Sequence, residues 1–231
     1  MFQSGRVLKL ILAEAYTPTE NIEYKQYPRS LMLFESQIRE LYNRLPHRRV
    51  HRAKQQMREV LIQKRRMLSA EERAEQSEKI LQQLEQMPRF QEAKTVLLYY
   101  PMNNEVDVLP LFKKYKHSKM LLLPVSHRKE MTVSPYEGNS KMHRGRFRIP
   151  EPTTPSYQGK IDLIVVPAVA YDKQGHRLGR GGGYYDRFIK KQSHATLVGV
   201  GYDFQLVNEV PMLLHDQKVE YVITPSQTIV V

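Results

Sequence analysis

No cysteine occurs anywhere in this 231-residue chain. That excludes a disulfide scaffold and any thiolate metal site, and it fits a reducing compartment. Long hydrophobic runs are missing too. The best stretch, VLKLILA at 7–13, is interrupted by Lys9 and followed by Glu14. A membrane-spanning helix needs roughly 20 apolar residues, and a secretory signal needs a small-residue cleavage site that is not found here. Internal repeats and low-complexity tracts are absent. The expectation is a cytoplasmic globular protein without membrane contact.

Acids are scarce in one place. From Arg44 to Arg66 there are nine Arg or Lys against the single Glu59, a local net charge of +8 within a chain total of +12. Such a run suits a nucleic acid, a membrane surface, a small polyphosphate, or plain solvation of a helix face. No RNA-binding aromatic signature or zinc-finger spacing accompanies it. His47 and His51 stand four apart, but a third metal ligand is missing.

Residues 1–50 read as an N-terminal extension, partly helical or disordered. LMLFESQIRELYNRL (31–45) has helical spacing and is expected to end before Pro46. The five glutamates of residues 1–50 are too many for a transit peptide. Residues 51–231 form the main domain. A helix is expected at 52–68 and a second one after Ser69, with Glu72 completing a capping box. Strands are expected at 94–101, 119–125, 131–137, 161–172, 195–202 and 218–225, and helices near 105–116 and 184–192. IDLIVVPAVAYD (161–172) is apolar without alternation, as in a strand covered on both faces. Interleaved strands and helices predict an α/β protein, a three-layer α/β/α sandwich with a mostly parallel, Rossmann-like sheet.

Ligands of such sheets bind beyond the carboxyl ends of the strands. Three distinctive segments fall there: PMNNEVD (101–107), the stretch from Ala170 to Asp186, and YDFQ (202–205). In RLGRGGGYYDRF (177–188), Gly179, Gly181, Gly182 and Gly183 can turn their amides toward one anion, with Arg177 and Arg180 adding cations. Neither the P-loop nor the dinucleotide fingerprint fits the spacing. Asp186, with Asp216, matches what Mg²⁺ asks of a protein, one or two carboxylates beside phosphate oxygens. On a helical wheel Lys54, Arg58 and Arg65 fall within about 40° of one another, beside an apolar stripe of Met57, Leu61 and Leu68. A helix of that kind can dock on the sheet and present its cations to a triphosphate.

Five ordered segments resemble the 5-formyltetrahydrofolate cyclo-ligase family, also called methenyltetrahydrofolate synthetases. They are KQQMR (54–58) with KRRMLSAEER, YYPMNNEVD (99–107), RFRIPEP (146–152), DLIVVPAVAYDKQGHRLGRGGGYYDRF (162–188) and HDQKVEYVIT (215–224). The resemblance implies a fold similar to the NagB/RpiA/CoA-transferase type. It also implies ATP-dependent, Mg²⁺-requiring closure of 5-formyltetrahydrofolate to 5,10-methenyltetrahydrofolate; a monomer that binds no nucleic acid is expected. By the same resemblance ATP is held by Lys54, Gln55, Gln56, Met57, Arg58 and the run Arg177, Leu178, Gly179, Arg180, Gly181, Gly182, Gly183, Tyr184 and Tyr185. The folate would meet Tyr100, Glu105 and Arg180 to Tyr184. Arg180 and Glu105 would act in catalysis, and Asp186 and Asp216 would bind Mg²⁺. Tyr171 and Arg148 depart from the family pattern, where phenylalanine and a small residue are expected. Gln205 and Arg148 are left without an assigned contact. A different small-molecule phosphotransferase and a basic nucleic-acid-binding protein are the alternatives the residues leave open.

Overall fold

The computed structural model describes residues 29–231 apart from Asn103, Lys129, Leu214 and His215, with side chains from Arg48 onward. Expectations for residues 1–28 lie outside the described residues. The chain divides into units of residues 1–45 and 46–231; the site belongs to the second.

Helix α1, Arg29–Met67, is one element. The break expected at Pro46 does not occur. Proline removes a single hydrogen bond and crowds the preceding turn, which can kink a helix without ending it. Helix α2, Ala70–Gln86, starts as its sequence foretells: Ser69 Oγ accepts from the Glu72 amide, and the Glu72 carboxylate accepts from the Ser69 amide. A short helix α3, Pro88–Glu92, precedes strand β1, Thr95–Leu97. Helix α4, Leu109–Tyr115, begins four residues later than the sequence suggests. Its N-cap is Val108; Asp107, one residue earlier, accepts from the Leu109 amide at 2.9 Å, and Pro110 fits the first turn. Glu105 is thereby released from any capping duty.

Strands β2 (Met120–Ser126), β3 (Met131–Pro135), β6 (Leu163–Pro167), β9 (Thr196–Val200), β10 (Tyr221–Ile223) and β11 (Thr228–Val230) join β1 in one seven-stranded sheet. Its order is β11-β10-β9-β6-β1-β2-β3; only the outermost pairs, β2–β3 and β10–β11, are antiparallel. Leu163 and Val165 bury on one face with α2, α3 and α4, whereas Ile164 and Val166 bury on the other with Phe188 and Ile189 of helix α5, Tyr184–Ile189. That double coverage explains the non-alternating apolar run.

The expected strand 161–172 is in fact two pieces. After Pro167 the chain leaves the sheet, and β7 (Ala170–Tyr171) pairs antiparallel with β8 (Arg177–Leu178). Leu61 of α1 packs on this hairpin together with Met57. A second small hairpin joins β4 (Met142–Arg144) to β5 (Pro150–Pro152). Arg148 lies in its turn with φ of 58°, a left-handed backbone that costs a non-glycine residue about 1–2 kcal/mol. It is the position where relatives were expected to carry a small residue.

Candidate active site

The direction of winding reverses between β1 and β6, and a cavity of about 450 Å³ opens there, beyond the carboxyl ends of the strands. Tyr99, Tyr100, Met102 and Glu105 reach it from the loop after β1, and Pro124 and Ser126 from the end of β2. Every residue from Arg177 to Asp186 lines it as well.

That stretch forms an arch. Gly181 has φ of 103°, and Gly183 has φ of 64° as the residue before α5. Side chains rarely adopt either conformation, so glycine is what lets the backbone turn here. Helix α5 has only six residues, so the arch relies on its own amides and on arginines more than on a helix dipole.

Helix α1 closes the arch from the opposite side. Arg58 Nε donates to the Gly179 carbonyl at 2.8 Å, and its guanidinium lies beside Gly181. Burial pushes the Arg58 pKa down from its ordinary value, with nearby Asp216 opposing that shift. Lys54, 5% exposed, donates to Asp216 Oδ2, which also accepts from the Leu213 amide at 2.7 Å. Gln55, Gln56 and Met57 do not line the cavity: both glutamines are exposed, Gln55 donates to Glu59, and Met57 packs against the β7–β8 hairpin. Only every third or fourth residue of a helix can face one ligand. His51, to which the sequence assigned nothing, stands one turn before Lys54 on the cavity wall.

Asp186 Oδ1 accepts from Arg177 Nη2 at 2.7 Å and from the Gln217 amide at 3.1 Å. No described residue bonds its Oδ2. Asp186 and Asp216 line the same cavity, 30 positions apart in sequence. Both offer only oxygen donors, which suits a hard cation such as Mg²⁺ that takes its other ligands from phosphate and water; in this structure one oxygen of each is engaged, by Arg177 and by Lys54. Among the described residues no cluster of three or more His, Asp or Glu is assembled for a metal.

Glu105 is the crossing point. Its Oε1 accepts from Arg180 Nε at 3.1 Å and Nη2 at 2.7 Å, and Arg65 Nη1 approaches the same oxygen to 3.8 Å. Its Oε2 accepts from the Met102 amide at 3.0 Å, and its backbone carbonyl from the Tyr202 hydroxyl at 3.1 Å. Burial lowers the Arg65 pKa; the Glu105 charge works against it. Arg65 is thus a brace behind the cavity, not a wall of it as the wheel suggested.

The remaining wall is apolar and flat-sided. Tyr184 meets Phe147 edge-on at 5.8 Å, and the Arg187 guanidinium lies 5.3 Å from the Tyr184 ring. Met131, Ile149 and Pro150 continue this surface. Tyr185 lines the cavity with its hydroxyl buried and without a partner, and burial drives its pKa far upward. Gln205 does not line the cavity; it bonds the Tyr202 amide and the carbonyls of Ala168 and Val169. Phe147 and Glu151 had been read only as parts of a motif, since nothing in the sequence marks which side of a hairpin faces a cavity.

A mostly parallel α/β sheet with a glycine arch, cations and two carboxylates gathered beside a flat apolar wall at its switch point has the layout of a small-molecule enzyme site. Residues 50–225 match the model of the 5-formyltetrahydrofolate cyclo-ligase family. The chain is 31% identical over 178 residues to the 5-formyltetrahydrofolate cyclo-ligase of Escherichia coli, covering 73% of this chain and 98% of that one. The mouse enzyme of the same name is 28% identical over 191 residues, covering 75% and 94%. Among solved structures, the 5,10-methenyltetrahydrofolate synthetase of Aquifex aeolicus has a TM-score of 0.70 at 36% identity, covering 77% of this chain and 92% of that one. The chain belongs to the 5-formyltetrahydrofolate cyclo-ligase family.

Proposed function

We infer that this protein converts 5-formyltetrahydrofolate to 5,10-methenyltetrahydrofolate at the expense of ATP, releasing ADP and phosphate. The observation that carries the reading is the union of two surfaces in one cavity: the arch at Gly179 to Gly183 clasped by Arg58, and the flat apolar wall of Tyr184 and Phe147.

The chemistry has two steps. The formyl oxygen attacks the γ-phosphorus; the new O–P bond forms as the bond to the β–γ bridging oxygen breaks, and ADP leaves. Folate N10 then attacks the activated formyl carbon and loses its proton, and phosphate departs with the former formyl oxygen. Phosphoryl transfer asks for alignment and charge neutralisation rather than a protein nucleophile, which agrees with a cavity that presents cations and amides. Lys54 and Arg58 hold the triphosphate from the helix side, and the amides of Gly181 to Gly183 hold it from the arch. Asp186 and Asp216 would hold Mg²⁺, which when bound would offset phosphate charge. Arg177 fixes Asp186. Arg180, 38% exposed at its side chain, exchanges Glu105 for the transferring phosphoryl group. Glu105, kept in place by Arg65 and the Met102 amide, then accepts a hydrogen bond from the folate near its reacting edge. A monomer in the cytoplasm completes the proposal.

The direct test mixes protein, ATP, Mg²⁺ and 5-formyltetrahydrofolate and follows the methenyl chromophore in the near ultraviolet. Absorbance should rise only when all are present, and chelation of the metal should stop it. No rise in the complete mixture would refute the reading.

A further inference from the structure

Glu151 is a carboxylate the mechanism above does not use. It stands in β5, is 3% exposed, and lines the cavity among Met131, Ile149 and Phe147. Its Oε1 accepts from the Ser126 amide at 3.1 Å. No described residue bonds Oε2, and no described cation lies within ion-pair distance. A carboxylate taken out of water with one hydrogen bond and no counter-charge is costly, and the cost is relieved by donors that arrive with a ligand. The backbone holds it there: a Cβ added to Gly145 would sit 2.1 Å from the Glu151 carboxyl, so the absent side chain is what leaves room for this rotamer.

We propose that Glu151 reads the amino-pyrimidinone edge of the folate ring, a deduction that rests on the functional reading above. That edge offers two adjacent N–H donors, the ring N–H and the exocyclic amino group, which a carboxylate is shaped to accept. Glu105 serves the reacting edge instead: its Oε2 stays with the Met102 amide, which leaves one oxygen for the folate once Arg180 moves, too few for two adjacent N–H donors. With the amino edge at Glu151, the ring lies along the apolar wall. Its formyl-bearing side faces the junction of Glu105, Arg180 and the arch. The chamber therefore selects a 2-amino pyrimidinone by charge-assisted hydrogen bonding, and the rest of the cavity deals with the phosphates.

Three variants and one altered substrate test this. Glu151→Leu, which keeps the volume and removes the acceptor, should raise the KM for 5-formyltetrahydrofolate roughly 10- to 100-fold, the worth of a charged hydrogen bond, with the KM for ATP unchanged. Glu151→Gln, which retains one acceptor, should fall between. Gly145→Ala, which displaces the carboxyl without altering any cavity side chain's chemistry, should move the folate KM in the same direction. A 5-formyl folate whose 2-amino group is replaced by methyl should bind the native protein more weakly, and should lose that disadvantage in Glu151→Leu. An unchanged folate KM in Glu151→Gln and Gly145→Ala, or a methyl analogue still discriminated by Glu151→Leu, would overturn the assignment of Glu151. Absence of turnover in the native protein would instead overturn the functional reading itself, so the two failures are told apart.

Discussion

Arg58 ties two parts of the chain that are 121 residues apart, from helix α1 to the Gly179 carbonyl, and it does so with a guanidinium that burial already disfavours. Such a group becomes more stable when an anion arrives. Arg58→Ala should therefore raise the KM for ATP by roughly 10- to 100-fold, as loss of a charge-assisted bond would, with the folate KM changed far less. Steady-state kinetics with each substrate varied in turn checks this. On the proposed function, Asp186→Ala should remove turnover by deleting a carboxylate assigned to the metal. A further residue-scale detail concerns Tyr171, where relatives were expected to carry phenylalanine. Its hydroxyl donates to the Val166 carbonyl, and its ring occupies the place where a Cβ on Gly199 would be, 2.3 Å away. The sequence drew attention to Arg180 and Asp186 through the glycine run, to Arg58 through a basic helix face and to Asp216 as a second carboxylate, and all four line one cavity. It did not show Glu151 or His51, because burial and facing depend on partners far along the chain.

Among the elements, the legible ones carried local chemistry. Ser69 and Glu72 mark the start of α2 three residues apart, and the capping box forms as read. Ser69→Ala should cost about 1 kcal/mol of stability, a fall of about 2–4 °C in Tm for a domain of this size, with both KM values unchanged; thermal unfolding and kinetics on one preparation measure both. The continuous apolar run at 161–172 was legible as buried but not as broken. Strand β6 ends at Pro167, and β7 pairs with β8 in a short hairpin outside the sheet, a break that an unbroken apolar run does not mark. Likewise the wheel placed Lys54, Arg58 and Arg65 on one face correctly. It could not tell that Arg65, one helical turn or more beyond the cavity, stops at Glu105.

Over the whole molecule, the basic stretch looks different once folded. Lys54 and Arg58 face the cavity and Arg65 is buried behind it, so part of the charge that suggested nucleic acid is turned inward. The family match begins at residue 50, and the contacts of residues 46–231 form a unit by themselves. A protein starting at Pro46 should keep its kcat and both KM values within about twofold; an inactive truncation would make residues 1–45 part of the working enzyme.

The measurement that bears most directly on the account is the stoichiometry of ADP released to methenyl product formed, with 5-formyltetrahydrofolate present and then omitted. If triphosphate and folate ring share this chamber and react in it, one ADP should appear per methenyl formed, and almost none without the folate. ADP production that runs on unchanged when the folate is left out would contradict it.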